Sequence, residues 1–217
     1  MVADCIAPIQ GTRARIMRLD SCGAPVTGAG SLIVIDGFVQ AAISPQYEDG
    51  TIYRKKKADG SNCVNRKAPD NFERDQVTFE FCSIDPDAMA ITTGATLVTS
   101  GSSGTGFWVK EGAQVARWSL ELWQADSATC TGANPRYAYW AWPNLAAARF
   151  SDFTIEDGVL AWSVVAFSDA ANTTWNVPGT AKPMTLPPPA LAHRGFNINT
   201  VPPPAVTGCG AQTLSIP

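Results

Sequence analysis

Eighteen glycines and sixteen prolines, spread along the whole length of a 217-residue chain, decide which kinds of structure it can build. Proline removes a backbone donor and glycine weakens a helix interior, so long helices have nowhere to run. Short apolar stretches bounded by such residues favour β-strands. Val77, Phe79 and Phe81 alternate with Thr78 and Glu80, the period-two pattern of a half-buried strand. Residues 114–124 repeat it, with Ala116, Trp118, Leu120 and Leu122 on an apolar face and Arg117, Ser119 and Glu121 on a polar one.

Residues 136–142 and 158–167 are apolar on both faces and rich in Tyr, Trp and Val, as in strands covered on both sides. A sandwich or closed barrel provides that cover. Weaker strand patterns fall at residues 13–19, 31–35, 37–43, 95–99, 150–156 and 196–199. One helix is predicted over residues 86–93. Asp85 can cap it, Pro86 suits its first position, Asp87 complements its dipole and Gly94 ends it. Repeats of 20 to 50 residues are absent, which excludes propellers and solenoids.

Two regions read as irregular. The segment 45–69 is long, polar and charged, and a connection of that length is expected to be functional or mobile. The stretch from Pro183 onward carries Pro187-Pro188-Pro189 and Pro202-Pro203-Pro204, which favour extended polyproline geometry. The expected organisation is a β domain over 1–182 and a Pro-rich extension over 183–217, packed on the same domain or on a neighbouring subunit.

Charge is divided unevenly. The net charge is −3, yet residues 48–75 hold seven basic and six acidic side chains while 76–217 hold six basic and ten acidic. Arg54, Lys55, Lys56, Lys57, Arg66 and Lys67 face only Asp59 within their own segment. Asp59-Gly60 at its centre predicts a hairpin turn, placing these cations on both arms of a projecting ribbon. Such a patch can bind nucleic acid, stand as a solvated loop, or dock on an acidic surface of another subunit.

Several functions are disfavoured. A single histidine, His193, must serve any Ser/His/Asp or Cys/His site, and it has no partner recognisable in the sequence, so a surface or packing role is expected. A zinc site built mainly of imidazoles is impossible. The six cysteines, Cys5, Cys22, Cys63, Cys82, Cys130 and Cys209, form no C-x-x-C pair. Residues 1–10 lack a basic segment followed by an apolar one, so export is not expected and the cysteines read as buried free thiols rather than disulfides. Asp36 interrupts the most apolar run, 32–43, short of a membrane span.

The glycine-rich run 101–106 lacks the Gly-Lys-Ser/Thr ending of a phosphate loop and is followed by Phe107-Trp108-Val109, which reads as a strand; a hairpin connection fits it better. Asn172-Thr173-Thr174 matches a glycosylation sequon, which without export is a chance match. Among the tryptophans, Trp118 is in phase with a core face and Trp140 and Trp142 share a face. Packing explains these three better than a sugar-binding platform does, and Trp108, Trp123, Trp162 and Trp175 are left open.

Cys63-Val64-Asn65-Arg66-Lys67 after a charged loop, the alternating strand 77–82, and Ile84-Asp85-Pro86-Asp87 leading to Thr93-Gly94 occur in a recognisable order. Tyr139-Trp140-Ala141-Trp142-Pro143, residues 152–157 and Phe196-Asn197-Ile198-Asn199 follow. Taken together, the chain resembles the major tail proteins, or tail tube proteins, of long-tailed phages infecting actinobacteria. The resemblance rests on order and length, since that family has no catalytic signature.

It implies a mainly β fold, a β-sandwich with a short flanking helix and a long projecting loop. It further implies hexameric rings stacked into a tube through which double-stranded DNA passes without specific binding. The loop 47–69 would reach the next ring, with Arg54, Lys55, Lys56, Lys57, Arg66 and Lys67 as contacts. Implied partners are further copies of the chain and the tape measure, tail terminator and distal tail proteins, in a virion assembled in the host cytoplasm. No catalytic residue, metal, cofactor or membrane is expected. The competing readings are a minor tail or tail-completion protein, a carbohydrate-binding β-sandwich module and, last, a hydrolase built on His193.

Overall fold

The computed structural model describes residues 8–36, 38–81, 83–101, 103–112, 115–126, 136–153, 162–171, 188–206 and 212–214. The elements are β1 (Pro8–Leu19), β2 (Gly28–Asp36), β3 (Gln40–Glu48), β4 (Ile52–Lys56), β5 (Asn62–Lys67), β6 (Asn71–Phe81), α1 (Pro86–Thr93), β7 (Thr96–Ser100), β8 (Ser103–Trp108), β9 (Arg117–Asp126), β10 (Tyr137–Phe150), β11 (Trp162–Ser168), β12 (Gly195–Asn199) and β13 (Gln212–Leu214). The fold is mainly β with one short helix among the described residues, as the patterning predicts.

Nine strands make one antiparallel sheet in the order β13-β2-β1-β9-β10-β11-β6-β3, with β12 also paired to β10. Strand β10 joins two layers. Its first half pairs with β9 and β12, its second half with β11. Between them lies Pro143, which has no N–H to give a ladder, and the pairing with β9 skips from Trp142 to Leu145. The pairing with β11 skips from Ala146 to Arg149 across Ala147, whose φ of 51° is left-handed. Such bulges bend a strand and let it turn a sheet corner.

The bend folds the sheet into a sandwich-like shape. Ala14, Ile16, Ile33, Trp118 and Leu120 from the β2-β1-β9 side meet Val77, Phe79, Phe81, Val164 and Ala166 from the β11-β6 side in a single buried core. Met89 and Ile91 of α1 join it. Asp85 accepts from the N–H groups of Asp87 and Ala88, and the Gly94 N–H closes the far end on the Ala90 carbonyl at 3.0 Å.

Several expectations need correction. The face of β9 read as polar is buried: Ser119 and Glu121 are inaccessible, beside Trp123 and Tyr139 of a second apolar cluster on that side of the sheet. Glu121 tolerates this because Arg15, directly opposite on β1, forms a salt bridge with it and the Tyr139 hydroxyl donates to it. Of the strand expected over 150–156, Phe150 ends β10, residues 151–153 are not in a strand, and 154–156 lie outside the described residues. The segment 45–69 is not irregular, since β3 runs to Glu48 and β4 and β5 pair beyond it.

Cys63, on β5, is free, as expected, but exposed rather than buried, and Cys22, in the turn after β1, is exposed as well. Neither protrusion has a layer above it. Cys5, Cys82, Cys130 and Cys209, the sequon at 172–174, Trp175 and the expected boundary at 182–183 lie outside the described residues.

Replacing Asp85 with Ala strands the two helix N–H groups and is expected to cost about 1 kcal/mol, with Asp85→Asn retaining most of that stability. Urea unfolding with an unchanged m-value is the measurement; equal midpoints for wild type and Asp85→Ala would discount the cap.

Candidate assembly interface

β3 and β6 outrun the core, and their prolongation is the β4–β5 ribbon. Every residue of both ribbon strands is exposed. The ribbon is tied at its foot and at its tip. At the foot, Lys67 Nζ bonds Asp49 Oδ1 at 2.9 Å and Asp70 Oδ1 at 2.7 Å, and the Gly50 N–H donates to Asp70 Oδ1 at 2.8 Å. A Cβ on Gly50 would lie 2.0 Å from the Ala68 carbonyl oxygen, so this crossing of the two arms requires glycine. At the tip, Gly60 has a φ of 82°, and Asp59 Oδ1 accepts from the Ser61 N–H and hydroxyl at 2.8 and 2.7 Å.

These contacts shift titrations in the expected senses. Hydrogen bonds from Ser61 hold the Asp59 carboxyl below the usual carboxylate range. The Gly50 N–H and then Lys67 do the same for Asp70, while bonds to Asp70 and Asp49 raise Lys67 above an ordinary lysine.

The predicted cations all fall on the ribbon: Arg54, Lys55 and Lys56 on β4, Lys57 in the turn, Arg66 and Lys67 on β5. Register sorts them by face. Tyr53 stands opposite Arg66 and Lys55 opposite Val64, so these four share one face. Ile52, Arg54, Asn65 and Lys67 share the other. Lys67 pairs with Asp49 and Asp70, which lie outside the segment first counted. Arg54, Lys55, Lys56, Lys57 and Arg66 make no ion pair among the described residues.

Charge counting missed the apolar partners of these cations. Ile52, Tyr53 and Val64 are all exposed, and Tyr47 and Phe72, paired in register at the foot, touch edge to face at 5.7 Å. The alternation of Tyr53 and Lys55 carries that signal, but only once the segment is taken as strand.

Beside the foot lies a polar lock. The buried Asp75 carboxylate accepts from Arg194 Nη1 at 3.1 Å and Trp142 Nε1 at 3.3 Å, and the Asp75 N–H donates to Ser168 Oγ at 2.8 Å. Ser168 Oγ stands 3.0 Å from His193 Nδ1, and the imidazole meets Phe72 edge to face at 5.3 Å. His193 therefore has a partner the sequence did not reveal, 25 residues away. The carboxylate faces Arg194 and Trp142 rather than the imidazole, and Ser168 is buried, so these groups fasten strands and do not form a Ser/His/Asp relay. Among the described residues no cluster of three His, Cys, Asp or Glu side chains could hold a metal ion. No helix there is long and apolar enough to cross a membrane.

No protein-family model matches the chain, and no characterised protein is significantly similar to it.

The ribbon's foot should respond to pH with two signs. Asp70, lowered in the folded state, contributes above the unfolded carboxylate range of about 3.9 and its contribution fades as pH falls through the lowered value. Lys67, raised, contributes below about 10.4 and its contribution is lost as pH climbs through the raised value. NMR titration of the Gly50 amide should therefore show an acid midpoint below about 3.9, which Lys67→Ala moves upward. A midpoint indifferent to that substitution would remove Lys67 from the clamp.

Proposed function

We propose that the chain is a structural subunit of a phage tail tube, assembling with copies of itself into stacked rings that conduct double-stranded DNA. The observation that carries this reading is the exposed ribbon, a two-stranded arm that buries nothing in its own subunit and mixes cations with Ile52, Tyr53 and Val64. Apolar residues between cations suit a protein surface that excludes water around them better than a phosphate backbone, which needs charge alone.

A second feature supports self-assembly. β3 pairs only with β6 among the described residues and presents a nine-residue open edge. An edge of that length is a hazard in a monomer and a joint in a ring. Pro45 sits on it, where a missing N–H is tolerated.

The transport role is one of non-adhesion. Each phosphate neutralised by a bound cation strengthens DNA binding through counterion release, so a conduit benefits from a neutral or acidic wall. In this reading the ribbon cations serve contacts between rings, the acidic excess after residue 75 belongs to the body, and the hexameric symmetry and virion location follow from the family resemblance.

Changing Lys55, Lys56 and Lys57 together to Glu should leave the far-UV spectrum unchanged while abolishing or shortening tubes in negative-stain micrographs. Normal long tubes from that variant would sink the ribbon's docking role, and a wild-type protein monomeric under all conditions would sink the tube. A low copy number per virion would favour a minor tail protein.

A further inference from the structure

A cleft of 610 Å³ opens between residues 38–45, which include much of β3, and the wall made by β9 and β10. Phe38 lines one side and the half-buried Trp140 the other; the neighbouring Trp142, its indole 15° from parallel and 6.3 Å away between centroids, is buried and bonded through Nε1 to Asp75. Gln40, Gln124 and Arg194 supply its polar groups. Trp140 Nε1 donates to Gln124 Oε1 at 3.2 Å, and Gln124, which lines the cleft, keeps its NH₂ as a donor. Arg194 gives Nη1 to Asp75 and has further N–H groups to offer.

Flat aromatic walls with N–H donors between them are the chemistry that recognises polyproline. A proline run offers apolar ring faces and carbonyls with no internal partner, and it has no N–H that would need an acceptor.

The chain carries such a run in accessible form. Pro188 is buried, whereas Val201, Pro202, Ala205 and Val206 are exposed and Pro203 and Pro204 half-buried, all without regular structure. This run cannot easily reach the cleft of its own subunit. β12 pairs Phe196 with Trp140 and Asn199 with Tyr137, so the chain leaves the cleft as it approaches the prolines, about 10 Å along the strand at about 3.3 Å per residue.

We propose that the Pro202–Pro204 arm of one copy docks in the Phe38–Trp140 cleft of a second copy. The contact requires two copies, as the tube does, but no ring or stack, and it can be tested on unassembled protein.

The first test titrates a synthetic peptide spanning residues 200–206 into the full-length chain and follows tryptophan fluorescence. A saturable change is expected, weakened about tenfold or more by Trp140→Leu and lost when the three prolines of the peptide become alanine. Gln40→Ala, at the exposed rim, provides a variant that does not disturb the core and should also weaken binding. The second test places a photo-cross-linker at position 40 in a mixture of ¹⁴N- and ¹⁵N-labelled protein. Cross-links to residues 200–206 of the differently labelled copy are expected. Links confined to one copy, no links, or equal binding by the alanine peptide would each overturn the proposal. Tubes that form without such links would leave the tube reading standing while this one falls.

Discussion

One strand has to belong to two layers for this fold to exist. β10 pairs with β9 and β12 along its first half and with β11 along its second, and the change of partner happens across Pro143 and Ala147. A straight β10 would extend a flat sheet with both apolar faces in water. Bent, it brings Trp118 and Leu120 against Phe79 and Val164 and seals them with α1. The bend also decides where the ends of the sheet lie. β3 becomes the outer edge of the second layer, and because β3 and β6 are longer than the layer they close, their excess length has no core to cover and continues as the ribbon.

The ribbon's foot is held by polar contacts. Asp75 of β6, Trp142 of β10, Ser168 of β11 and the His193-Arg194 pair converge there, so three strands and the segment entering β12 are pinned at one point. A buried carboxylate with Arg194 as its only cation among the described residues gains little net stability over an apolar replacement, but removing one partner leaves the other uncompensated. The lock therefore fixes which segments meet more than it raises the free energy of folding. Phe72 carries that fixation to the arm, touching His193 on one side and Tyr47 on the other.

How much of this was legible in the sequence follows from how local each signal is. α1 was readable to the residue because its cap, its first-turn proline and its terminating glycine are neighbours in the chain. The alternation of Val77, Phe79 and Phe81 identified β6 for the same reason. The polar face of β9 was misread because burial of Glu121 depends on Arg15, 106 residues away, and on Tyr139. The Ser168–His193 contact and the corner in β10 are tertiary in the same sense. For the ribbon, the turn at Asp59-Gly60 was visible and the cations were correctly placed on its arms. Their arrangement by face was not, because it needs the register, and neither were the partners of Lys67, which stand outside the charged segment.

That separation of charge is what connects the fold to a use. A chain with its cations spread evenly over the body would attract nucleic acid on every side, in proportion to the phosphates neutralised. Here five cations without an ion pair among the described residues ride on an arm beyond the core, while four cations of the body are paired, Arg15 with Glu121, Arg117 with Asp169, Arg136 with Asp126 and Arg194 with Asp75, and Arg18 and Arg149 of the body stay exposed. Pairing a cation with a carboxylate of its own subunit removes it as a phosphate ligand without removing the side chain from the packing. Under the proposed tube function, cations paired within the body and cations left open on the arm would suit identical subunits stacked around passing DNA.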